Sequence, residues 1–185
     1  MTAFRDGVGR LADRTEAEIV ALFARYESGQ LGRPEFVALA AALIARARVQ
    51  GVGLADLVLT SEVIRALRTR AAPLGLTPPG GDAERLQGSV TSVLDQEIDG
   101  AKDQAQLRES QRVRLIRLGR DSAAESAVWA YSAAMVARGA RGWIRVTDAD
   151  PCQVCSRLAD GVVRSPSVTM WRHTGCCCTP GAAFV

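Results

Sequence analysis

At 185 residues the chain has room for one ordinary domain, or for a modest domain with a small appendage. Hydrophobic residues at 48% and charged residues at 23% exclude a disordered polymer, and aromatics at 5% in an Ala-, Leu-, Val- and Arg-rich background favour helices over a sheet sandwich. A formal charge of +3 neither demands nor excludes a polyanionic partner, because nucleic-acid modules concentrate their basic residues on one face.

Helical periodicity dominates up to about position 140. In TEAEIVALFARYESG, Thr15 and Glu18 have capping-box spacing, Ile19, Leu22, Phe23 and Tyr26 form one apolar stripe, and Gly29 is the expected stop. A second helix is predicted to begin at RPEF, with Pro34 in the first turn, and to end near Gly51. Its basic end, Arg46 and Arg48, suits the negative pole of the helix dipole. A third helix is expected through LADLVLTSEVIRALRTRAA, and PLGLTPPGGD, residues 73–82, then reads as a hinge.

Beyond the hinge the pattern predicts two or more helices in series. Gly100 and Gly119 are candidate interruptions, and Ser122 with Glu125 offers another capping box. No uncharged apolar run reaches the 18 or so residues of a membrane span, FVALAAALIA being the longest candidate, and the first residues carry acids early without a secretory pattern. We therefore expect no membrane association and a reducing cytosol, where clustered cysteines point to metal more than to disulfides.

From Trp143 onward the character changes. GWIRVTD and GVVRS are short β-branched runs bounded by turn residues, and we expect both to be strands. The resulting fold class is mainly α: a helical region over 1–142, then a small zinc-bound α+β module over 143–185. So short a module buries little apolar surface and needs a staple.

All five cysteines and the only histidine lie in that module. Cys152 and Cys155 have the C-x-x-C spacing that lets two thiolates of one turn face a tetrahedral ion, while His173 and Cys176 offer the facing half through H-x-x-C. Cys178 is the alternative fourth ligand, because it shares a side with Cys176 in extended backbone, and Cys177 points away as a spectator. Disulfides or free thiols are the competing readings. A thioredoxin-like redox pair is disfavoured, since no βαβ unit surrounds the motif.

These residues resemble a known family. Trp143, Asp148, Cys152, Cys155, Leu158, Gly161, His173, Cys176 and Cys178 follow the order of the C-terminal module of phage Mu F-like minor head proteins, especially those of actinobacterial tailed phages, over about the last quarter of the chain. Two positions depart from the pattern: Cys177 stands where a basic residue is common, and Thr174 where proline is. The resemblance implies a minor capsid protein, non-enzymatic, in host cytoplasm during assembly and then in the virion. Portal and other head proteins would be its partners in head assembly, DNA packaging or ejection, with packaged DNA a further candidate and no small-molecule substrate.

Some relatives carry a capsid maturation protease label, but with His173 committed to metal a serine-protease triad cannot be assembled. No H-E-x-x-H helix is present for a zinc hydrolase, and DPCQVC lacks the H-x-E partner of the zinc deaminases. The rival reading is a DNA-binding zinc protein. Among Arg108, Arg112, Arg114, Arg117 and Arg120, the triad Arg112, Arg114 and Arg117 is the candidate contact with phosphate or with an acidic partner groove. The apolar faces with Phe36, Leu39, Ala40 and Leu43, and with Leu57, Ile64 and Leu67, read as a bundle core, and the helices before the hinge as the portal-docking region.

Overall fold

The computed structural model describes residues 2–78, 82–95, 103–148 and 150–184. It is mainly helical with one small two-stranded sheet: α1 (Thr2–Glu27), α2 (Arg33–Leu67), α3 (Asp82–Asp95), α4 (Gln104–Ala137), β1 (Gly142–Val146), α5 (Gln153–Leu158) and β2 (Thr179–Ala183). The three long helices pack on one another. Phe4 stacks on Tyr131 at 4.4 Å, and Arg120 reaches Asp13 and Glu16, so α1 runs antiparallel to α4. Arg46 pairs with Glu18 and Arg14 with Gln50, which makes α1 antiparallel to α2 as well.

Chain reversal after α1 follows from Gly29. Its φ of 74° is the left-handed conformation that glycine adopts without penalty, and the amides of Gly29 and Gln30 close on the carbonyls of Tyr26 and Arg25. The same pair of bonds recurs at the end of α4, where Gly139 turns the chain toward β1. Asp103 starts α4 by accepting the amide of Gln106 at 2.8 Å.

Five local expectations need correction. Thr15 does not cap a helix: α1 already runs from Thr2, and the buried Thr15 hydroxyl donates to the Leu11 carbonyl one turn back at 2.8 Å. Gly51 does not stop a helix either, because the second and third predicted helices are one continuous α2. Ser122 lies inside α4, where its carbonyl accepts from Ser126, and Gly119 is likewise interior; Gly100 lies outside the described residues. GVVRS is not a strand. Its Arg164 makes an isolated bridge to Trp143, and the strand that pairs with β1 is TPGAA, with Trp143 opposite Ala182 and Arg145 opposite Pro180.

Gly51 and Gly119 have a packing reason instead. A Cβ on Gly51 would lie 2.7 Å from the Ala123 carbonyl oxygen, and one on Gly119 would lie 2.2 Å from the Ile19 side chain. Ala47, Ala55, Ala123, Ala127 and Ala130 are buried around the first crossing, so α2 and α4 approach through small residues. One apolar cluster holds Ile19, Phe23, Phe36, Ile44, Leu86, Val90 and Leu115. A second joins Phe4, Val52, Leu59 and Tyr131 to Trp143, Cys155, Met170, Cys176 and Cys178, so the helices and the terminal segment share one interior.

Of the apolar faces named from the sequence, Phe36 and Ala40 are buried, whereas Leu39, Leu57, Ile64 and Leu67 are exposed. Among the described residues, α2 is the one helix with the length and composition to cross a membrane, and its Phe36, Ile44, Val52 and Leu59 side is packed in the bundle. The hinge segment is partly anchored. The buried Asp56 carboxylate accepts the amides of Leu74, at 2.9 Å, and Gly75, at 2.8 Å; residues 79–81 of the expected hinge lie outside the described residues.

Two glycines of α2 give a matched test. Gly51→Ala should destabilise the protein by about 1–3 kcal/mol, because the new methyl meets backbone. Gly53→Ala, where a Cβ meets nothing within 4 Å, should stabilise it by about 0.5–1 kcal/mol. Urea unfolding midpoints of the two variants read the difference, and equal shifts would contradict the close α2–α4 crossing.

Candidate metal centre

The sulfur-rich segment is assembled from two turns. Cys152 is the N-cap of α5, and its Sγ accepts the amide of Cys155 at 3.4 Å, so the first C-x-x-C thiol is held by backbone donors. The second turn runs from His173 to Cys178, with Gly175 at φ 78° and the Cys176 amide closing on the His173 carbonyl. Asp121 of α4 accepts the Gly175 amide at 2.8 Å and anchors this turn to the bundle.

The two turns meet at Cys155. Its Sγ lies 3.3 Å from His173 Nε2 and 3.6 Å from Cys176 Sγ, while Cys152 Sγ lies 3.1 Å from the same His173 nitrogen. Two triads of ligand atoms result, Cys152–Cys155–His173 and Cys155–Cys176–Cys178, each with all its atoms within 4.8 Å of one another and with Cys155 common to both. A tetrahedral ion with zinc-like bond lengths needs ligand edges of about 3.5–3.8 Å, so a slight outward shift of these atoms would admit one. The cluster of Cys152, Cys155, His173, Cys176 and Cys178 can therefore hold a metal ion.

The surroundings suit that chemistry. His173 Nδ1 lies 3.0 Å from the Thr174 carbonyl, which fixes the proton on Nδ1 and leaves Nε2 facing the sulfurs. Arg145 is buried, its guanidinium donating to the Trp171 carbonyl at 2.5 Å and approaching Cys155 Sγ at 3.8 Å, with no carboxylate partner among the described residues. A buried guanidinium needs an anion. Three thiolates around a divalent cation leave one net negative charge, and Arg145 stands beside it.

Proton affinities divide the thiols. The Cys178 thiol, helped by the Cys178 amide, holds Cys176 down to about 5, and the same hydrogen bond pushes Cys178 up. Burial, with the Cys176 contact, pushes Cys155 up to about 11. The amide of Cys155 lowers Cys152, and the Thr174 carbonyl raises His173. Of the two candidates for the fourth ligand, Cys176 carries the thiolate character.

Cys177 belongs to neither triad. Its Sγ faces Arg120 at 4.0 Å, and its amide donates to Asp148 at 3.4 Å. The arginines named from the sequence do not converge. Arg112 grips Glu109 through two bonds of 2.8 and 2.7 Å, Arg108 lies over the Tyr26 ring, and Arg120 is engaged with α1. Arg114 has a partner of its own, and Arg117 is exposed. Arg145 and Asp121, which support the centre, carry no local sequence signal, since each acts on residues far along the chain. No known family model, curated protein or solved structure matches the chain.

At pH 7.5 the metal-free Cys155 holds its proton, because its affinity is raised to about 11, while Cys176, held near 5, has already lost its own. Metal binding must displace the Cys155 proton, so adding zinc in weak buffer should release about one proton or more per ion, and affinity should fall as pH falls. Indicator-dye titration reads the release, and its absence would contradict ligation by Cys155. Cys155→Ala should abolish binding, whereas Cys177→Ala should leave the metal stoichiometry unchanged, as read by elemental analysis.

Proposed function

We propose that this chain is a non-enzymatic minor capsid protein of a tailed phage, a Mu F-like head-morphogenesis component associated with the portal vertex, whose terminal segment is clasped by a structural zinc ion. The carrying observation is the convergence of Cys152, His173 and Cys176 on Cys155 from two turns, because these residues are among those by which the sequence resembles that family. Zinc is the ion that thiolate and imidazole in a four-ligand shell suit best, and such a shell leaves no position for water or substrate. The ion would cross-link α5 to the 173–178 turn and, through Asp121, both to α4. Structural zinc contributes on the order of 10 kcal/mol to folding in zinc-finger peptides.

A structural role agrees with the charge distribution, since most of the arginines on α4 are already engaged by side chains of this chain rather than presented as one basic face. That favours a protein partner over the alternative of a DNA-binding zinc protein. A protease-like activity finds little support: His173 is the sole histidine and its Nε2 faces thiols. Portal and other head proteins are the partners we propose, with the helices before residue 73 as the docking region, in host cytoplasm and then in the virion.

The test is co-purification. Tagged full-length protein expressed with the portal protein should carry about one zinc per chain and portal oligomers, with no nucleic acid retained at moderate salt. Recovery of nucleic acid without portal would favour the DNA-binding alternative. Zinc-free protein with an intact, protease-resistant terminal segment would overturn the structural-metal reading.

A further inference from the structure

A cleft of about 380 Å³ lies between α4 and residues 169–174, with His173 but none of the cysteines in its lining. Val128 and Met170, both buried, contribute apolar surface to it, and Trp129 lines it while remaining 41% exposed. Asp121 and Glu125, one helical turn apart on α4, supply two carboxylates to the wall. Asp121 spends one oxygen on the Gly175 amide. Glu125 has no hydrogen bond or ion pair among the described residues. The one cation of the lining, Arg172, is turned onto the Cys176 carbonyl.

Across Trp129 a second hollow of about 280 Å³ contains Arg48 and Arg85, and Glu125 and Trp129 line both spaces. Arg48 and Arg85 have partners of their own, and on the cleft side of Trp129 the carboxylates of Asp121 and Glu125 outnumber the one guanidinium, that of Arg172. Indole, an apolar floor and a carboxylate are what a long cationic side chain requires: its methylene stem is buried, its charge lies against the aromatic face, and its donors reach the acid.

We propose that this cleft is a docking site for an arginine side chain presented by an exposed basic segment of a partner protein, with Trp129 as stacking surface and Glu125 as counter-ion. The site deepens the portal-docking reading by naming a chemistry for one contact, yet it stands without zinc as long as the 169–174 wall is formed. It also lies on α4 and the terminal segment rather than on α1 and α2. Guanidinium fits better than ammonium, because its planar face stacks on indole while its edge bonds a carboxylate.

The probe is a short glycine-serine peptide carrying two arginines, titrated into the full chain while the Trp129 indole N–H signal is followed by NMR. Saturable movement of that signal is expected, weakening as salt rises. Glu125→Gln should weaken binding about tenfold, as the loss of one charge-assisted pair implies. Trp129→Ala removes the indole signal, so its binding is read by the fluorescence anisotropy of a dye-labelled arginine peptide, where saturation should be lost; Trp129 is 41% exposed and Glu125 is exposed, so folding and metal content should be unchanged. The glutamate version of the peptide should not bind. Equal binding by Glu125→Gln, equal binding of the glutamate peptide, or tighter binding of a thymidine oligonucleotide at Trp129 would each overturn the proposal. Wild-type protein that binds the arginine peptide but contains no metal would leave the proposal standing and remove the zinc reading, so the two fail separately.

Discussion

Two turns separated along the chain bring imidazole and sulfur to within 3.3 and 3.6 Å of a single atom, Cys155 Sγ, and the terminal segment is organised around that meeting. Pairs of hydrogen bonds between thiols and one imidazole are weak connections for a stretch with little regular structure of its own. Backbone amides aimed at Cys152 and Cys176 favour thiolates there, and a buried Arg145 demands negative charge nearby. A cation shared by the sulfurs would reconcile these features, since thiolates crowded together repel and each raises the proton affinity of the next.

The helical bundle supplies the frame that keeps the two turns in place. Tyr131 lies at the junction, donating to Glu62 of α2 and accepting the Ala182 amide of β2 at 3.1 Å, with its ring stacked on Phe4 of α1. Trp143 does the same from the other side, burying its ring and donating to the Val168 carbonyl at 2.8 Å. Because these aromatic anchors tie the sheet to three helices, the thiol cluster is continuous with the interior of the bundle. A metal bound there would stabilise more than its own loop.

The close α2–α4 crossing has a second consequence. Small residues at Gly51, Ala47, Ala123 and Ala127 let two parallel helices approach with little side-chain volume between them, which leaves larger side chains such as Trp129 and Leu57 on outer surfaces. A chain with few aromatics therefore exposes one of its three tryptophans on α4 beside two carboxylates and a second, Trp171, on the neighbouring loop. The surface chemistry available for recognition is set by how tightly the interior closes.

Composition and periodicity made the helical class legible, and ligand spacing made the thiol and imidazole cluster legible, because both depend on residues close in sequence: the stripe Ile19, Phe23 and the pairs C-x-x-C and H-x-x-C. Element boundaries were not legible at Thr15, Gly51 and Ser122, where the same residue types serve as caps in one setting and as close-packing or back-bonded interior residues in another. The partner of β1 was missed for a related reason. TPGAA has little strand propensity, and it pairs because Tyr131 and β1 offer hydrogen bonds to it. Local sequence thus determined helicity and the set of candidate ligands, whereas only the tertiary structure decided that Cys155 is their common vertex, that Arg145 and Asp121 support it, and that Arg120 faces α1. Those outcomes depend on contacts between residues far apart in the chain, whose distances no local pattern encodes.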